Sequence, residues 1–365
     1  MNLAAPKHSL QKAPSLDTAE ALLAWYDLEK RDLPWRRGKP DPYRTWLSEI
    51  MLQQTTVKAV VPYFERFLDR WKTIEELAAA SLDDVLSMWA GLGYYSRARN
   101  LYQCAQEVAQ RPDKQFPKTL DELQSLPGIG PYTAAAIAAI AFGTPVTPID
   151  SNVERVIARF FAIGVPMPLA KTEIKRLASL LTPSRRPGDF AQAMMDLGAT
   201  ICTPKRPSCL MCPVQKGCLG HQNGLANDLP IKKVRSERPI RHGTFFLVLR
   251  EDGDLLLRRR PPAGLLGGML EVPSTEWLDT PSSRDQVLSA APVKGNWWPV
   301  PGHLSHTFTH FRLEVQVLQS IVPRDTPLTF WAESSRCLWM PRRDFHKAAL
   351  PSLMRKIIVH ALDNK

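Results

Sequence analysis

The chain has 365 residues with a net charge of +11 at pH 7, and 44% of its residues are hydrophobic. This composition excludes extensive disorder, and because no apolar run reaches the roughly 18 residues that cross a bilayer, a membrane protein is not expected. At about 150 residues per domain the length predicts two domains, and the basic excess indicates a polyanionic partner.

The first part of the chain is predicted to be all-α over 17–220. Apolar residues recur there at helical spacing, and short Pro/Gly segments separate the periodic stretches. Asp41 followed by Pro42 is typical of an N-cap with proline at the first helical position, and this helix is predicted to run through Lys58. The other helices are predicted at 17–31, 62–70, 82–90, 96–110, 119–125, 131–142, 151–162, 170–181 and 188–200.

A second domain is predicted to follow a polar, basic linker at 221–241. Beyond the linker the hydrophobic period becomes two, which is typical of half-buried strands, and Asp252-Gly253 is a hairpin signal. The predicted strands are 244–250, 255–258 and 311–317. With a closing helix at 351–362, these elements predict an α+β domain over 242–365.

Four of the six cysteines are clustered, with the spacing Cys-x6-Cys-x2-Cys-x5-Cys at Cys202, Cys209, Cys212 and Cys218. The N-terminus has no apolar export signal, so we expect a cytoplasmic protein, in a bacterial cell, without a disulfide framework. Structural zinc usually uses two Cys-x2-Cys pairs, whereas this compact spacing can surround a 4Fe-4S cluster. We expect the four cysteines to hold a 4Fe-4S cluster, and the alternatives are a zinc site or unrelated free thiols.

Two segments of the helical half fit contact with a phosphate backbone. Lys205 and Arg206 lie between the first two clustered cysteines and form either a solvated loop or a basic finger. Gly128 and Gly130 lie in a turn between two predicted helices, where glycine permits positive φ and close backbone approach. Because the following helix starts with free N–H groups, this turn suits a phosphate oxygen, although an ordinary tight turn would use the same residues.

A second glycine loop, at 91–93, precedes aromatic and basic residues. Tyr94 and Tyr95 are followed by Arg97 and Arg99, a combination that suits base stacking together with phosphate contact. Packing of the two tyrosines in the core is the alternative.

Two acidic residues occupy unusual positions. Glu49 lies in a predicted helix that is apolar on most of its circumference, so we expect it to be buried, with a raised pKa that suits a general acid. Asp150 precedes another helix and would ordinarily be its N-cap, but Ser151 and Glu154 form a capping box one residue later, which leaves Asp150 available. Paired carboxylates of this kind are what glycosidic bond cleavage uses.

These features together resemble a known family. A helix-hairpin-helix at 119–142, then Asp150, then the cysteine loop at 202–218 is the pattern of the endonuclease III superfamily of DNA glycosylases. Three segments resemble the MutY-type adenine DNA glycosylases within it: Leu-Pro-Trp-Arg-Arg at 33–37, Trp-Leu-Ser-Glu-Ile-Met-Leu-Gln-Gln-Thr at 46–55 and Gly-Leu-Gly-Tyr-Tyr at 91–95. The resemblance covers 17–220 and continues more weakly to about 360, where such proteins carry a Nudix-like recognition domain.

The resemblance implies a monomeric enzyme that removes adenine mispaired with 8-oxoguanine or guanine in duplex DNA. Glu49 would protonate the adenine and Asp150 would stabilise the sugar cation, with Tyr132 and Asn152 beside them. The bifunctional relatives carry a Schiff-base lysine at the position of Tyr132, so a monofunctional enzyme without lyase activity is expected. Ser151 departs from the glycine that the family usually has between Asp150 and Asn152.

The resemblance also implies residues that contact the DNA around the opposing base. Gln54 and Tyr94 match residues that wedge into the duplex. Phe308, Thr309 and His310 match a Phe-Ser-His loop that commonly reads 8-oxoguanine, with threonine here in place of serine.

The segment at 267–271 lacks the acidic run that binds magnesium in Nudix hydrolases, so no nucleotide hydrolysis is expected. Two rival hypotheses remain: a glycosylase/lyase acting on oxidised pyrimidines, against which Tyr132 argues, and a non-catalytic binder of damaged DNA. A buried Glu49 would argue against the binder.

Overall fold

The computed structural model describes residues 16–231, 238–261, 264–329, 336–345, 348 and 350–363. Contacts between residues divide the chain into two compact units. The first, the helical unit, comprises Met1–Ala79 and Gln103–Val234, and the second, the sheet unit, comprises Ala80–Tyr102 and Arg235–Lys365.

The residues before the cysteine loop are helical, as predicted, with one further helix at Ile74–Ala79 that was not predicted, and the short helix Leu219–Gln222 follows the loop. The helices are α1 (Leu16–Glu29), α2 (Pro42–Leu52), α3 (Val57–Arg70), α4 (Ile74–Ala79), α5 (Leu82–Trp89), α6 (Ser96–Gln110), α7 (Leu120–Ser125), α8 (Pro131–Phe142), α9 (Ser151–Phe160), α10 (Lys171–Leu181), α11 (Pro187–Thr200) and α12 (Leu219–Gln222). Asp41 caps α2 by accepting hydrogen bonds from the backbone N–H groups of Tyr43 and Arg44 at 2.8 and 3.2 Å, and Pro42 occupies the first position.

The prediction that one helix runs through Lys58 is wrong. α2 ends at Leu52, and Thr56 caps a new helix by accepting a hydrogen bond from the N–H of Ala59 at 3.4 Å. Between the two helices Gln54 has a φ of 57°, which no right-handed helix allows. The apolar spacing continues across this break, and for that reason the sequence pattern conceals it.

α8 lies at the centre of the helical unit. It consists largely of alanine, its residues 133–139 are buried, and it packs against α2, α7 and α11. A helix that is apolar on all sides belongs in a core, and its small side chains let neighbouring helices approach closely. The first turn of α8 thereby comes to lie beside the middle of α2.

The sheet unit is built on a mixed sheet with strand order β3-β2-β1-β6-β4, in which β5 pairs with β6 and β7 with β2. The strands are β1 (Ile240–Arg250), β2 (Leu255–Arg259), β3 (Leu270–Glu271), β4 (Trp298–Pro299), β5 (Leu304–Thr307), β6 (Arg312–Val322) and β7 (Cys337–Met340). β1 and β2 form the predicted antiparallel hairpin, and β1 runs parallel to β6. With α13 (Arg284–Ser289) and the closing helix α14 (Ser352–Asp363), the predicted α+β class is confirmed.

Residues 80–102 belong by their contacts to the sheet unit, although the sequence places them in the continuous helical domain 17–220. The hydroxyls of Tyr94 and Thr309 lie 2.8 Å apart, the side chain of Arg99 donates to the carbonyl of Gly267, and Arg259 lies near Asp83. These contacts connect positions far apart in the chain, which no local pattern reveals.

The start of the predicted linker 221–241 packs on the helical unit. Leu229 is buried and its carbonyl accepts a hydrogen bond from Arg159, while the carbonyl of Ile231 accepts one from the N–H of Met167 at 2.8 Å. Residues 232–237 lie outside the described part of the chain. None of the helices described has the length and hydrophobicity to span a bilayer.

Candidate active site

Glu49 and Tyr132 meet where α2 packs on the first turn of α8. The Tyr132 hydroxyl donates a hydrogen bond to Oε2 of Glu49 at 2.7 Å, and Glu49 is 5% exposed, as the sequence predicts. Burial raises the pKa of Glu49 to about 7; the Asp150 charge acts in the same direction, whereas the Tyr132 hydrogen bond and Arg36 oppose it. Near neutral pH the carboxyl can therefore hold a proton and give it up, as a general acid must.

Asp150 is the N-cap of α9, so the prediction that Ser151 takes this role is wrong. Oδ1 of Asp150 accepts hydrogen bonds from the backbone N–H groups of Asn152 at 2.9 Å and Val153 at 2.8 Å. Its other oxygen, Oδ2, accepts a bond from the side-chain amide of Asn152 at 2.8 Å. These bonds fix the carboxylate in one orientation.

One cavity of about 770 Å³ brings the four predicted catalytic residues together. Glu49, Tyr132, Asp150 and Asn152 all line it, and so does Gln54. One carboxyl is buried with a raised pKa, while the other is held by three N–H donors. Because the environments of these two carboxyl groups differ so much, the two groups suit different acid/base roles.

Two arginines that the sequence did not single out form another wall of this cavity. Arg31 and Arg36 contact Asp196, which is fully buried, with N–O distances of 2.6 and 2.7 Å. Burial alone would raise the pKa of Asp196, but the two arginines hold it below its usual value. The sequence motif at 33–37 includes Arg36, but nothing in the sequence indicated that Arg36 pairs with an acidic residue 160 positions later.

Arg155 is a second residue that sequence reasoning missed. Its guanidinium donates to Oδ1 of Asn152 at 2.9 Å, to the carbonyl of Gly198 at 2.6 Å and to the carbonyl of Cys202 at 2.7 Å. A Cβ on Gly198 would lie 2.5 Å from that of Asn152, so α11 packs directly against the start of α9. The amide that bonds Asp150 is thus itself held in place.

The predicted glycine hairpin is present, with one correction. Gly128 has a φ of 76°, which favours glycine, but Gly130 has a φ of −87° and simply caps α8. The space where a Cβ on Gly130 would lie is open to at least 4 Å. Gly130 therefore leaves room at the start of α8 rather than allowing a positive φ.

Three of the predicted DNA-contact residues have left-handed backbone conformations. Gln54, Tyr94 and Arg206 have φ values of 57°, 47° and 50°, and all three are exposed. Such strain costs of the order of 1–3 kcal/mol per residue and is found most often at functional sites. Lys205, next to Arg206, is exposed as well.

For the second glycine loop, the two alternatives were contact with a nucleic acid and packing of both tyrosines in the core, and the two tyrosines differ in burial. Tyr94 is 48% exposed, whereas Tyr95 is buried. Arg97 is buried too: it donates to the carbonyls of Leu92 and Gly93, and burial lowers its pKa to about 10. Tyr94 therefore lies on the surface, with its hydroxyl 2.8 Å from that of Thr309, while Tyr95 and Arg97 hold the loop in shape.

The loop predicted to read the opposing base rests on an aromatic stack in the sheet unit. Phe308 stacks on Trp277 with ring centroids 5.6 Å apart, and its N–H donates to the carbonyl of Phe311 at 2.9 Å. Thr309 and His310, which follow it, are exposed.

The four clustered cysteines form no disulfide bonds and are partly buried, and Cys202, Cys212 and Cys218 pack against the helical core. A guanidinium nitrogen of Arg159 lies 3.3 Å from Sγ of Cys202. Within the described residues, no group of three or more His, Cys, Asp or Glu side chains is arranged so that it could hold a metal ion. The 4Fe-4S cluster stays a prediction.

Comparison with known proteins gives two family models and close relatives. Residues 47–183 match the HhH-GPD superfamily of base excision DNA repair proteins, and residues 244–360 match the NUDIX domain. The adenine DNA glycosylase of Homo sapiens is 37% identical over 92% of this chain and 72% of its own length. That of Buchnera aphidicola subsp. Schizaphis graminum is 30% identical over 93% of this chain and 97% of its own.

A solved structure of a thermostable thymine-DNA glycosylase is similar to the helical part. It is 28% identical, with a TM-score of 0.51, and the match covers 56% of this chain and 95% of that one. The relatives extend over both units, and the predicted all-α glycosylase domain followed by a Nudix-like α+β domain is confirmed. The chain belongs to the adenine DNA glycosylase family of base excision repair enzymes.

Proposed function

We propose that the chain acts as a monomer that hydrolyses the N-glycosidic bond of adenine mispaired with 8-oxoguanine or guanine in duplex DNA. The observation that carries this proposal is the buried Glu49 carboxyl, with a pKa near 7, lining the same cavity as the Asp150 carboxylate. A single-turnover assay on a duplex with adenine opposite 8-oxoguanine tests it. Free adenine and an alkali-labile site should appear, and their absence would contradict the proposal.

We propose a separate step for each of the two carboxyl groups. The adenine leaves the base stack, at a cost of a few kcal/mol, and enters the cavity. Glu49 donates its proton to N7 of the base, so that the base departs without negative charge. The Asp150 carboxylate, held by Asn152, stabilises the positive charge that develops on the sugar. Glu49, now ionised, takes a proton from the attacking water.

Tyr132 adjusts the proton affinity of Glu49, which gives a pH prediction. Activity should decline as the pH rises above about 7, because Glu49 then loses its proton. Tyr132→Phe removes a hydrogen bond that lowers this pKa, so the midpoint of the alkaline limb should move to higher pH. Single-turnover rates between pH 5 and 9 measure the shift, and an unchanged or lowered midpoint would contradict it.

We also propose that the enzyme lacks lyase activity, on the basis of the same residue, Tyr132. A Schiff base needs an amine nucleophile, and Tyr132 offers a phenol at the position where the resemblance places the lysine of the bifunctional relatives. Strand nicking without alkali, together with a protein–DNA adduct trapped by borohydride, would contradict a monofunctional enzyme and favour a glycosylase/lyase.

Thr309 is proposed to read the opposing base through its hydroxyl, which in the free protein lies 2.8 Å from the hydroxyl of Tyr94. Thr309→Val keeps the shape and removes the hydrogen bond to the base, worth about 0.5–1.5 kcal/mol, together with the contact to Tyr94. We expect the rate constant for adenine opposite 8-oxoguanine to fall about 3–10-fold at limiting enzyme, with little change opposite guanine. Thr326→Val, in a turn after β6, is the matched control. Equal losses on both duplexes would show that Thr309 does not discriminate.

We also propose that the four cysteines hold a 4Fe-4S cluster, whose ligation by their thiolates would cross-link the loop. Four thiols with a buried arginine beside one sulfur fit this group in their chemistry. The chain directly after the last cysteine is held close to α9, since a Cβ on Gly220 in α12 would lie 2.4 Å from the carbonyl oxygen of Arg159. Iron and acid-labile sulfide assays on the purified protein test this; zinc without sulfide would contradict it.

We propose that the sheet unit does not hydrolyse nucleotides. Glu271, the acid in the segment 267–271, is fully buried and paired with Arg258 and Arg260 at 2.6 and 2.5 Å. Release of phosphate or pyrophosphate from an oxidised nucleoside triphosphate would contradict this.

A further inference from the structure

The turn that joins β5 to β6 carries Thr309 at its tip. β5 pairs with β6 as far as Thr307 and Arg312. Within the turn, the N–H of Phe308 donates to the carbonyl of Phe311 at 2.9 Å, so only two residues form the tip. The position of Thr309 therefore depends on what supports the two phenylalanines on either side of it.

Trp277 contacts both arms of this turn. Its ring stacks on that of Phe308, with centroids 5.6 Å apart and an angle of 26° between the planes, and its centroid lies 6.2 Å from that of Phe311. The two phenylalanine rings are themselves 4.9 Å apart. Aromatic pairs at such distances attract each other in particular orientations, so the three rings hold one another in a fixed arrangement.

The sheet in turn fixes the ring of Trp277. The indole lies against β1 at a position without a side chain, since a Cβ on Gly243 would be 2.7 Å from Cδ1 of the indole. The guanidinium of Arg260 lies over the ring, 5.3 Å from its centroid, and the buried Glu271 binds that guanidinium. The indole N–H donates to Oγ of Ser274 at 3.3 Å. These contacts leave the ring little room to move.

The backbone that carries Trp277 is bound to β1 on both sides of this residue. The N–H of Thr275 donates to the carbonyl of Thr244 at 2.9 Å. His242 and Leu278 exchange two backbone hydrogen bonds, at 2.7 and 3.1 Å. A substitution of Trp277 therefore changes the support of the turn while the segment itself stays attached to the sheet.

We propose that Trp277 is a positioning residue that sets the discrimination between 8-oxoguanine and guanine opposite adenine, because it fixes where Thr309 lies. The inference rests on the proposed function, since it concerns how the base opposite the adenine is read. An O–H···O hydrogen bond spans only about 2.5–3.0 Å, so a shift of the turn by about 1 Å is enough to lose it. Trp277 acts through Thr309 and does not itself touch the base.

Trp277→Leu removes the stacking ring and keeps an apolar side chain. Single-turnover rate constants are measured with enzyme in excess over DNA but below saturation, on duplexes with adenine opposite 8-oxoguanine and opposite guanine. We expect the first rate constant to fall about 3–10-fold, as for Thr309→Val, with little change in the second. Trp277→Phe keeps a ring to stack on Phe308 and should recover most of this loss. Equal losses on both duplexes, or no loss on either, overturn the inference.

Trp297→Leu is the matched control. Trp297 is half-buried like Trp277, and it packs on Phe246, whereas Trp277 packs on Phe245, the preceding residue of β1. Successive residues of a strand point to opposite faces of the sheet, and the two tryptophans accordingly pack against different core clusters. The ratio of the two rate constants should be unchanged in Trp297→Leu. A ratio that falls as far as in Trp277→Leu would show a general loosening of the sheet unit and overturn the inference.

A double-mutant cycle shows whether Trp277 acts through Thr309. Once Thr309→Val has removed the hydroxyl, Trp277→Leu should cause no further loss opposite 8-oxoguanine. A further loss as large as that in the single variant overturns the inference. Gly243→Ala tests the same support without changing the indole, because the added methyl group must displace it. This variant should lower the same rate constant, it serves if Trp277→Leu does not fold, and an unchanged ratio in it also overturns the inference.

The unmodified protein separates this inference from the proposed function. If it releases adenine from neither duplex, the proposed function is contradicted. If it releases adenine from both duplexes with equal rate constants, the proposed hydrolysis stands, but there is no discrimination for Trp277 to set and the inference is overturned.

Discussion

Glu49→Gln is expected to lower the single-turnover rate of adenine removal by about 10²–10⁴-fold, the usual contribution of a general acid. The amide keeps the size of the side chain but has no proton to give at neutral pH. Binding to the mispaired duplex should remain close to normal, because Glu49 is buried and contributes nothing to the surface. Quenched-flow measurement of base release, together with a filter-binding titration, separates the two effects.

Glu107→Gln, on the exposed face of α6, is the matched control for this substitution. Adenine release unchanged in Glu49→Gln would remove Glu49 from the mechanism. Loss of both DNA binding and folding would mean that the substitution reports on structure rather than on catalysis. The fold itself should tolerate glutamine, since a neutral side chain in this position avoids the burial of a charge.

Asp150→Asn should separate the two roles of Asp150, which are to cap α9 and, by our proposal, to stabilise the sugar cation. Asparagine caps helices about as well as aspartate, so the cap should survive, and loss of the bond from the Asn152 amide should lower the free energy of unfolding by about 0.5–1.5 kcal/mol. The negative charge beside the developing sugar cation is lost, and removal of an electrostatic contact of this kind typically lowers the rate about 10²–10³-fold. Denaturant unfolding and single-turnover kinetics on the same preparation measure both quantities.

Asp150→Ala serves as the comparison, because it removes the cap as well as the charge. We expect it to lower the free energy of unfolding by about 1 kcal/mol more than Asp150→Asn does, in addition to the loss of rate. If Asp150→Asn unfolds as readily as Asp150→Ala, the capping interaction requires the carboxylate. If Asp150→Asn retains the full rate, the charge is not part of the reaction.

Local patterns predicted the helices and the burial of Glu49 well. An acidic residue on a helix that is apolar on most of its circumference is expected to be buried, and Glu49 is indeed buried. The same reasoning failed at Asp150, where two neighbouring residues are both good caps and the pattern does not fix which one begins the helix. It also failed at the end of α2, because Val57 continues the apolar spacing across a break.

Contacts between distant positions were beyond sequence reasoning. The pairing of Arg31 and Arg36 with Asp196, and the bonds from Arg155 to Asn152 and the cysteine loop, join elements that only the folded chain brings together. Left-handed backbone at Gln54 was equally hidden, since glutamine gives no local signal for it. The motifs identified the reacting groups, but not the residues that hold them in position.

Both units are built from discontinuous stretches of chain, which affects their synthesis. Residues 80–102 leave the ribosome on the order of 140 residues before β1, the first described strand of the unit to which their contacts assign them. At about 5–20 residues per second this delay lasts roughly 7–30 seconds. During that time Tyr94 has no Thr309 to meet, so nascent chains of this protein pass through a stage in which the loop is exposed to chaperones and proteases.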